Sequence, residues 1–151
     1  MTFTSTNSGS GIAFRYGNPT FDCDGAQIRA QCRHLATVVT ISGEIGDTNI
    51  DSVRQYIRRF ILAEKPVVLD LSSVDSFSAQ SVSLLYTVDE DCRTAGVEWS
   101  LIASQPVLRV LRVLEDNDNF PTVGSVPEAL QHFADVINAR RRLLPLLSKT
   151  A

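Results

Sequence analysis

The stretch that decides the fold is residues 65–85, KPVVLDLSSVDSFSAQSVSLL. Residues 67–71 are apolar and rich in β-branched side chains except for Asp70, which is typical of a strand buried on both faces. Residues 72–78 are rich in serine and aspartate, which favour turns and helix N-caps. Apolar residues then recur at every third position: Val82, Leu85 and Val88. This spacing predicts an amphipathic helix that begins at about Ala79.

The predicted turn presents several hydroxyl groups at the start of that helix. The helix macrodipole and the unpaired N–H groups favour negative charge there, so a phosphate on a serine would be well accommodated. No catalytic base and no metal-ligand cluster neighbours the turn in sequence. We therefore expect a site that another protein reads, with no enzyme activity, no cofactor and no metal.

This segment resembles the signature of the STAS domain, the fold of bacterial anti-sigma factor antagonists. Residues 67–72 are similar to the family's VVLDLS strand, and Val74 and Phe77 to the hydrophobic stretch that follows it. In the family the next residues are Asp-Ser-Ser-Gly-Leu, whose second serine is phosphorylated by an anti-sigma factor kinase. The corresponding residues here are Ser78, Ala79, Gln80, Ser81 and Val82. Gln80 therefore stands at the acceptor position of the family.

Two further segments carry the resemblance. Residues 37–45, TVVTISGEI, resemble the family's second strand and its Ser-Gly-Glu-Leu turn, although Gly46 and then Asp47 follow where the family usually has Asp at once. SVPEAL at 125–130 resembles the start of the family's last helix. Residues 27–136 can be laid on the family pattern in this way.

The order of the elements predicts an α/β fold, a STAS-like mixed β-sheet of four to five strands packed against about four helices. Period-two alternation predicts a half-buried edge strand at residues 27–33, and a second strand at 36–42 ends at Gly43. The remaining predicted elements are a helix at 50–61 with an N-cap among 47–49, a strand at 97–103, a helix that begins at Ser104, a short edge strand at 120–123 and a helix that begins with a capping box at 125–128. We divide the chain into a flexible N-terminal tail (1–20), a STAS-like domain (21–138) and a basic, leucine-rich C-terminal extension (139–151).

Composition gives broad bounds on the kind of protein. The chain has 151 residues, of which 44% are hydrophobic and 21% charged, as in an ordinary soluble domain. A net charge of −3 gives no reason to expect nucleic acid as a partner. The sequence has no apolar run long enough for a bilayer and no signal-peptide pattern, so we expect a cytoplasmic location and no membrane partner. Cys23, Cys32 and Cys92 lack metal-ligand spacing, and free thiols are the expected state.

Gln80 raises the central question about the site, because an amide cannot be phosphorylated and mimics a phosphate poorly. One interpretation is a protein held permanently in its binding-competent state, and the other is a partner surface that has drifted. Ser76, Ser78 and Ser81 are substitute acceptors, although Ser78 also suits the role of helix N-cap. The expected partner-binding surface is spread over the two turns: Glu44, Asp47, Thr48, Asp75, Ser76, Ser78, Gln80 and Ser81.

The resemblance implies a regulatory protein that binds an anti-sigma factor with a histidine-kinase-like ATPase domain and so releases a sigma factor. Two alternatives stay open: a STAS scaffold that associates with itself or with other STAS proteins, and a small-ligand sensor. Tyr86 is suited either to a partner surface or to the edge of the core. Arg140, Arg141 and Arg142 either complement a helix macrodipole or belong to an extension that docks elsewhere. His34 and His132 are expected in turns or on the surface.

Overall fold

The structure, a computed structural model, describes residues 20–61 and 64–150, with side chains up to Leu143. Within these residues, five strands and four helices follow one another. They are β1 (Phe21–Cys23), β2 (Ala26–Cys32), β3 (Thr37–Ile45), α1 (Ile50–Arg58), β4 (Val67–Phe77), α2 (Val82–Ala95), β5 (Trp99–Ala103), α3 (Gln105–Val113) and α4 (Val126–Thr150). A single 3-10 turn, Ala79–Ser81, leads into α2. The predicted N-terminal tail lies outside the described residues except for Thr20.

The strands form one mixed sheet in the order β1-β2-β3-β4-β5. The first three strands pair antiparallel, whereas β3, β4 and β5 run parallel. A single parallel bridge between Leu101 and Thr122 extends the sheet beyond β5, so the predicted edge strand at 120–123 is reduced to one bridge. The prediction of a mixed sheet of four to five strands with about four helices is confirmed.

Both faces of the sheet are covered by helices. The larger core joins one face to α1, α2 and α3 through side chains that include Ile41, Leu69, Leu85, Leu101 and Leu111. The smaller core joins the other face to α4: Val38, Val68, Ile102, Ala129 and Phe133. Val68 thus packs opposite to its neighbours Val67 and Leu69, as the apolar run in β4 predicts for a strand buried on both faces.

Two predicted boundaries and one predicted position in the sheet were wrong. Residues 72–77 belong to β4, because pairing with β3 continues as far as Ile45–Phe77. For the same reason β3 does not end at Gly43, and register shifts beside Ser42 and Gly43 let the two strands stay paired. β2 is not an edge strand over its first three residues, Ala26–Ile28, because β1 pairs with them.

The helix ends are close to those predicted. Gly96 adopts a left-handed conformation (φ 74°) immediately after α2, as expected for a glycine C-cap. At the start of α4, Ser125 Oγ accepts a hydrogen bond from the Glu128 N–H, and the Glu128 carboxylate accepts one from Gly124 N–H rather than from Ser125 N–H. The backbone of residues 139–150 continues α4, so the predicted extension is part of the last helix.

Candidate partner-binding site

The two turns expected to form the site follow the carboxyl ends of two neighbouring strands, at the same end of the sheet. β3 and β4 are parallel, and Glu44 and Ile45 at the end of β3 pair with Ser76 and Phe77 at the end of β4. The carboxyl ends of parallel strands are where open α/β sheets usually bind ligands. Most of the expected surface residues are solvent-exposed here: Glu44, Asp47, Thr48, Asp75, Ser76 and Gln80.

Ser78 and Ser81 differ from those residues because their hydroxyl groups join the two turns internally. Ser81 is fully buried, and its hydroxyl donates to the Ile45 carbonyl at 3.0 Å. The Ser78 and Ser81 oxygens are 2.7 Å apart. Since the one hydroxyl hydrogen of Ser81 is given to Ile45, Ser78 is the donor to Ser81. Ser78, which is half-buried, also donates its backbone N–H to Ile45 at 3.3 Å.

Gln80 lies in the 3-10 turn and is exposed. Its backbone carbonyl accepts a hydrogen bond of 2.9 Å from the Ser83 hydroxyl in the first turn of α2. The position that the resemblance assigns to the phospho-acceptor is therefore open to solvent, but it presents a neutral amide.

Asn49 holds the turn after β3 in place, a role that its position before a helix did not reveal. Asn49, one of the three candidate caps, is the N-cap residue, but its side chain does not cap α1. Instead the buried amide nitrogen donates to the carbonyls of Cys23, Asp24 and Glu44 at 2.7–3.1 Å. Its oxygen accepts from Gly46 N–H at 3.0 Å. Asn49 thereby fastens the β1–β2 hairpin to the turn that carries Glu44, and no sequence signal separates this role from that of an ordinary N-cap.

Gly43 allows the same hairpin to approach closely. Its φ of 93° lies in a region that favours glycine, and a Cβ atom at this position would be 2.3 Å from the Gly25 carbonyl oxygen. That carbonyl accepts a hydrogen bond of 2.9 Å from Glu44 N–H. The close approach at Gly43 and the hydrogen bond from Glu44 thus both hold the hairpin against the turn that carries Glu44.

Arg54 connects α1 to the first turn of α2. Its guanidinium contacts the Asp51 carboxylate at 2.6 Å and donates to the Ser83 hydroxyl at 3.3 Å. Arg58 reaches Asp91 on α2 at 2.9 Å. These side-chain contacts link α1 to α2, the two helices that follow the exposed turns.

Tyr86 is 48% exposed on α2 and is held by its own chain. Its hydroxyl donates to the Asp116 carboxylate at 2.6 Å, and its ring lies edge-on to Phe120 with 5.0 Å between the centroids. The hydrogen bond to Asp116 raises the pKa of Tyr86 above its usual value. The side of the ring that packs on Phe120 fits a place at the edge of the core, and the exposed side fits a partner surface.

The other polar candidates lie outside this edge. His34 is exposed. His132 lies 3.7 Å from Glu98, which directly precedes β5 and is therefore at the other end of the parallel strands from the candidate site. Within residues 20–61 and 64–150, no group of His, Cys, Asp and Glu is arranged to hold a metal ion. Among the helices of that same part of the chain, none is both long and apolar enough to cross a membrane. Cys23 and Cys92 are buried and Cys32 is exposed, all as free thiols.

A mixed sheet covered by helices, with an exposed turn before a central helix, defines the architecture of a STAS domain. The model of the STAS domain family matches residues 27–129, and the chain belongs to this family. It is 46% identical over 155 residues to Osmosensory protein A of Mycobacterium tuberculosis (strain ATCC 25618 / H37Rv), a match that covers 99% of this chain and 98% of that protein.

Two solved structures of anti-sigma factor antagonists have the same fold. One is from Mycobacterium paratuberculosis, with a TM-score of 0.66, 20% identity, and coverage of 74% of this chain and 96% of the other. The other is SpoIIAA in its unphosphorylated form, with a TM-score of 0.60, 12% identity, and coverage of 72% and 96%.

Proposed function

We propose that this chain regulates transcription by binding an anti-sigma factor that has a histidine-kinase-like ATPase domain, so that a sigma factor is released. The observation that carries the proposal is the shared edge where the turns after β3 and β4 meet and present Glu44, Ser76 and Gln80 to solvent. Membership of the STAS family and the likeness to two anti-sigma factor antagonists support it. Binding, rather than catalysis, is the activity that this edge suits.

Gln80 makes the binding independent of the usual phosphorylation. An amide cannot accept a phosphoryl group and carries no charge, so the exposed acceptor position stays neutral in the presence of ATP. The buried hydroxyl of Ser81 argues against that residue as a substitute acceptor, because a kinase would have to open the turn. Ser78 is engaged with Ser81. Ser76 is exposed, but it lies in β4, four residues before the acceptor position of the family. We therefore expect a constitutive antagonist.

A pull-down from a lysate of the native host tests this proposal. Wild-type protein is expected to recover an anti-sigma factor with a histidine-kinase-like domain, equally with and without ATP. Gln80→Glu adds a negative charge where the family adds phosphate, and we expect it to lower recovery by about tenfold or more, since an uncompensated charge in an interface costs well over 1 kcal/mol. Gln31→Glu is the matched control, because Gln31 is exposed at the opposite end of the sheet, where it pairs with Val38.

Three results would contradict parts of this proposal. Recovery of no anti-sigma factor removes the function itself. Equal recovery with Gln80→Glu and with wild type removes Gln80 from the binding surface. Loss of the partner with ATP, together with phosphate on Ser76, Ser78 or Ser81, replaces the constitutive antagonist by one whose switch has moved.

The name of the relative, Osmosensory protein A, supports a physiological setting for this regulation. We propose that the complex with the anti-sigma factor changes in amount with external osmotic strength. Quantifying the complex in the host before and after an osmotic upshift tests this proposal, and an unchanged amount would contradict it.

A further inference from the structure

Charge is strongly segregated along the chain and along α4. Four of the 14 basic residues and none of the 17 acidic residues fall after residue 135, so the last 16 residues carry +4 and the first 135 carry −7. Within α4, residues 126–135 contain Glu128 and Asp135 but no Lys or Arg. Residues 139–150, which we name the basic half of α4, contain Arg140, Arg141, Arg142 and Lys149.

The helix macrodipole does not account for this pattern. Its effect falls off within the first and last turn of a helix. Asp135 lies nine residues after Val126, and Arg142 lies eight residues before Thr150. Glu128 lies in the first turn and Lys149 in the last, but Asp135 and the three arginines lie in the body of the helix, where the macrodipole gives them little stabilisation.

The side chains that the structure describes at the start of the basic half of α4 are exposed. Every residue from Asn138 to Leu143 is exposed, and Leu143 has 56% of its surface open. Six consecutive helical residues cover more than one and a half turns, so solvent reaches every side of this segment, although Arg140 also lines a small cleft with Glu64 and Glu98 of its own chain. The sequence continues with Leu144, Pro145, Leu146 and Leu147, which is an unusual composition for a helix end that binds nothing.

An acidic groove lies beside the first half of the same helix. It has a volume of about 570 Å³ and runs between α4 and the sheet edge at β5. Its apolar lining comes from Trp99, Pro121 and Val123. Three carboxylates also line it: Glu98, Glu128 and Asp135. His132 also lines the groove, 3.7 Å from Glu98, but the three carboxylates outnumber it. A groove with an apolar lining and an excess of carboxylates is complementary to a segment of leucines and arginines.

We propose that two copies of this chain form a two-fold dimer in which the basic half of α4 of each copy lies in the acidic groove of the other. A two-fold interface must be self-complementary, and an antiparallel pair of α4 helices places the acidic half of one beside the basic half of the other, twice. The excess charge of opposite sign on the two parts of the chain supports a second copy as the occupant.

This interface leaves the candidate partner-binding site free. The groove includes Glu98, Trp99 and Ser100 at the amino end of β5, whereas Glu44 and Ser76 lie at the carboxyl ends of β3 and β4. Because β3, β4 and β5 are parallel, the groove and the candidate site lie at opposite ends of these strands. The inference therefore does not depend on the proposed binding of an anti-sigma factor.

Sedimentation velocity or light scattering on the purified full chain tests the dimer. We expect twice the chain mass of 16.6 kDa at about 100 µM, where a micromolar dissociation constant gives mostly dimer. Arg141→Glu/Arg142→Glu and Gln131→Lys/Asp135→Lys, the latter on exposed groove residues of α4, should each give monomer with an unchanged circular dichroism spectrum. Arg140 is left in place because it lines a small cleft with Glu64 and Glu98 of its own chain. Arg29→Glu/Arg33→Glu, on exposed residues of β2 and just beyond it, is the control that should remain dimeric.

The decisive measurement mixes the two monomeric variants. Each variant supplies what the other requires, so an equimolar mixture is expected to regain the dimer mass. Monomeric wild type, or a mixture that stays monomeric, would overturn the proposal. If the wild type is monomeric, its binding to vesicles of anionic phospholipid is measured next. Binding that is lost in Arg141→Glu/Arg142→Glu would show that the basic half serves a membrane surface instead of a second copy.

Discussion

At the scale of single residues, Asn49 is the side chain on which the geometry of the site depends most. Truncation to Ala leaves the carbonyls of Cys23, Asp24 and Glu44 and the N–H of Gly46 without this partner. A buried group left unsatisfied costs about 1–3 kcal/mol, and we expect Asn49→Ala to lower the free energy of unfolding by about 2–3 kcal/mol. Urea denaturation measures this change.

Asn117→Ala, in the exposed loop after α3, is the control and should change stability by less than about 0.5 kcal/mol. An Asn49→Ala protein as stable as this control would show that water replaces the amide without loss.

Cys92 gives the stability a dependence on pH. Burial raises the pKa of its thiol from 9.0 to about 12, and the carboxylates of Asp91 and Asp89 act in the same direction. The unfolded chain therefore loses this proton above pH 9, whereas the folded chain keeps it. The contribution to the free energy of unfolding is constant below pH 9 and falls as the pH rises from 9 towards 12.

Comparison of wild type with Cys92→Ala at pH 8 and pH 10 isolates this effect. We expect wild type to lose about 1 kcal/mol more than the variant between the two pH values, since one pKa unit corresponds to about 1.4 kcal/mol. Equal losses in the two proteins would show that the thiol titrates normally. Cys23 and the surface groups are common to both proteins and cancel in the comparison.

At the scale of elements, the irregular end of β3 depends on a glycine. Gly43→Ala places a Cβ atom against the Gly25 carbonyl and holds alanine at a φ of 93°. We expect it to lower the free energy of unfolding by about 3 kcal/mol or more, because strain and overpacking both contribute. Thermal and urea denaturation measure the loss.

Gly46→Ala is the matched control in the same turn, since a methyl group at this position would have no atom within 4 Å and the φ of Gly46 is outside the left-handed range. We expect a change of less than about 0.5 kcal/mol. Similar losses at the two glycines would contradict this account, because a methyl group at Gly46 meets no atom and the lower entropy of the unfolded alanine variant would by itself favour folding.

The same elements show what the sequence can and cannot predict. The apolar run in β4 and the glycine after α2 are local signals, and the structure confirms both predictions. The serine-rich residues 72–76 favour a turn by their local propensity, whereas their strand conformation comes from pairing with β3. Pairing between distant segments, with its register shifts, has no signature in the residues themselves.

The site residues themselves stay a prediction. The resemblance to the STAS family implied that the turns near Glu44 and Gln80 lie close together, and the parallel pairing of β3 with β4 brings them to the same end of the sheet. The burial of Ser81 and the anchoring role of Asn49 were not predictable, since each depends on carbonyl groups of another strand or hairpin. Hydrogen bonds to the backbone leave no pattern in the side chains of the partner segment.

At the scale of the whole molecule, the polarity of the sheet separates two surfaces. The candidate partner-binding site lies at the carboxyl ends of the parallel strands, and the acidic groove lies at the amino end of β5. If each surface has its own partner, a dimer presents two antagonist sites that face away from the contact between the copies. Binding and self-association should then be separable by mutation.

We expect Arg141→Glu/Arg142→Glu to abolish the dimer while each chain binds the recovered anti-sigma factor with unchanged intrinsic affinity. Gln80→Glu should do the reverse and weaken binding while the dimer mass is kept, because Gln80 lies at the other edge of the sheet. Titration calorimetry gives the affinity and stoichiometry per chain, and light scattering of the same samples gives the mass. A charge-reversal variant that also lost affinity beyond about threefold, or roughly 0.7 kcal/mol, would show that the two surfaces are coupled through the domain.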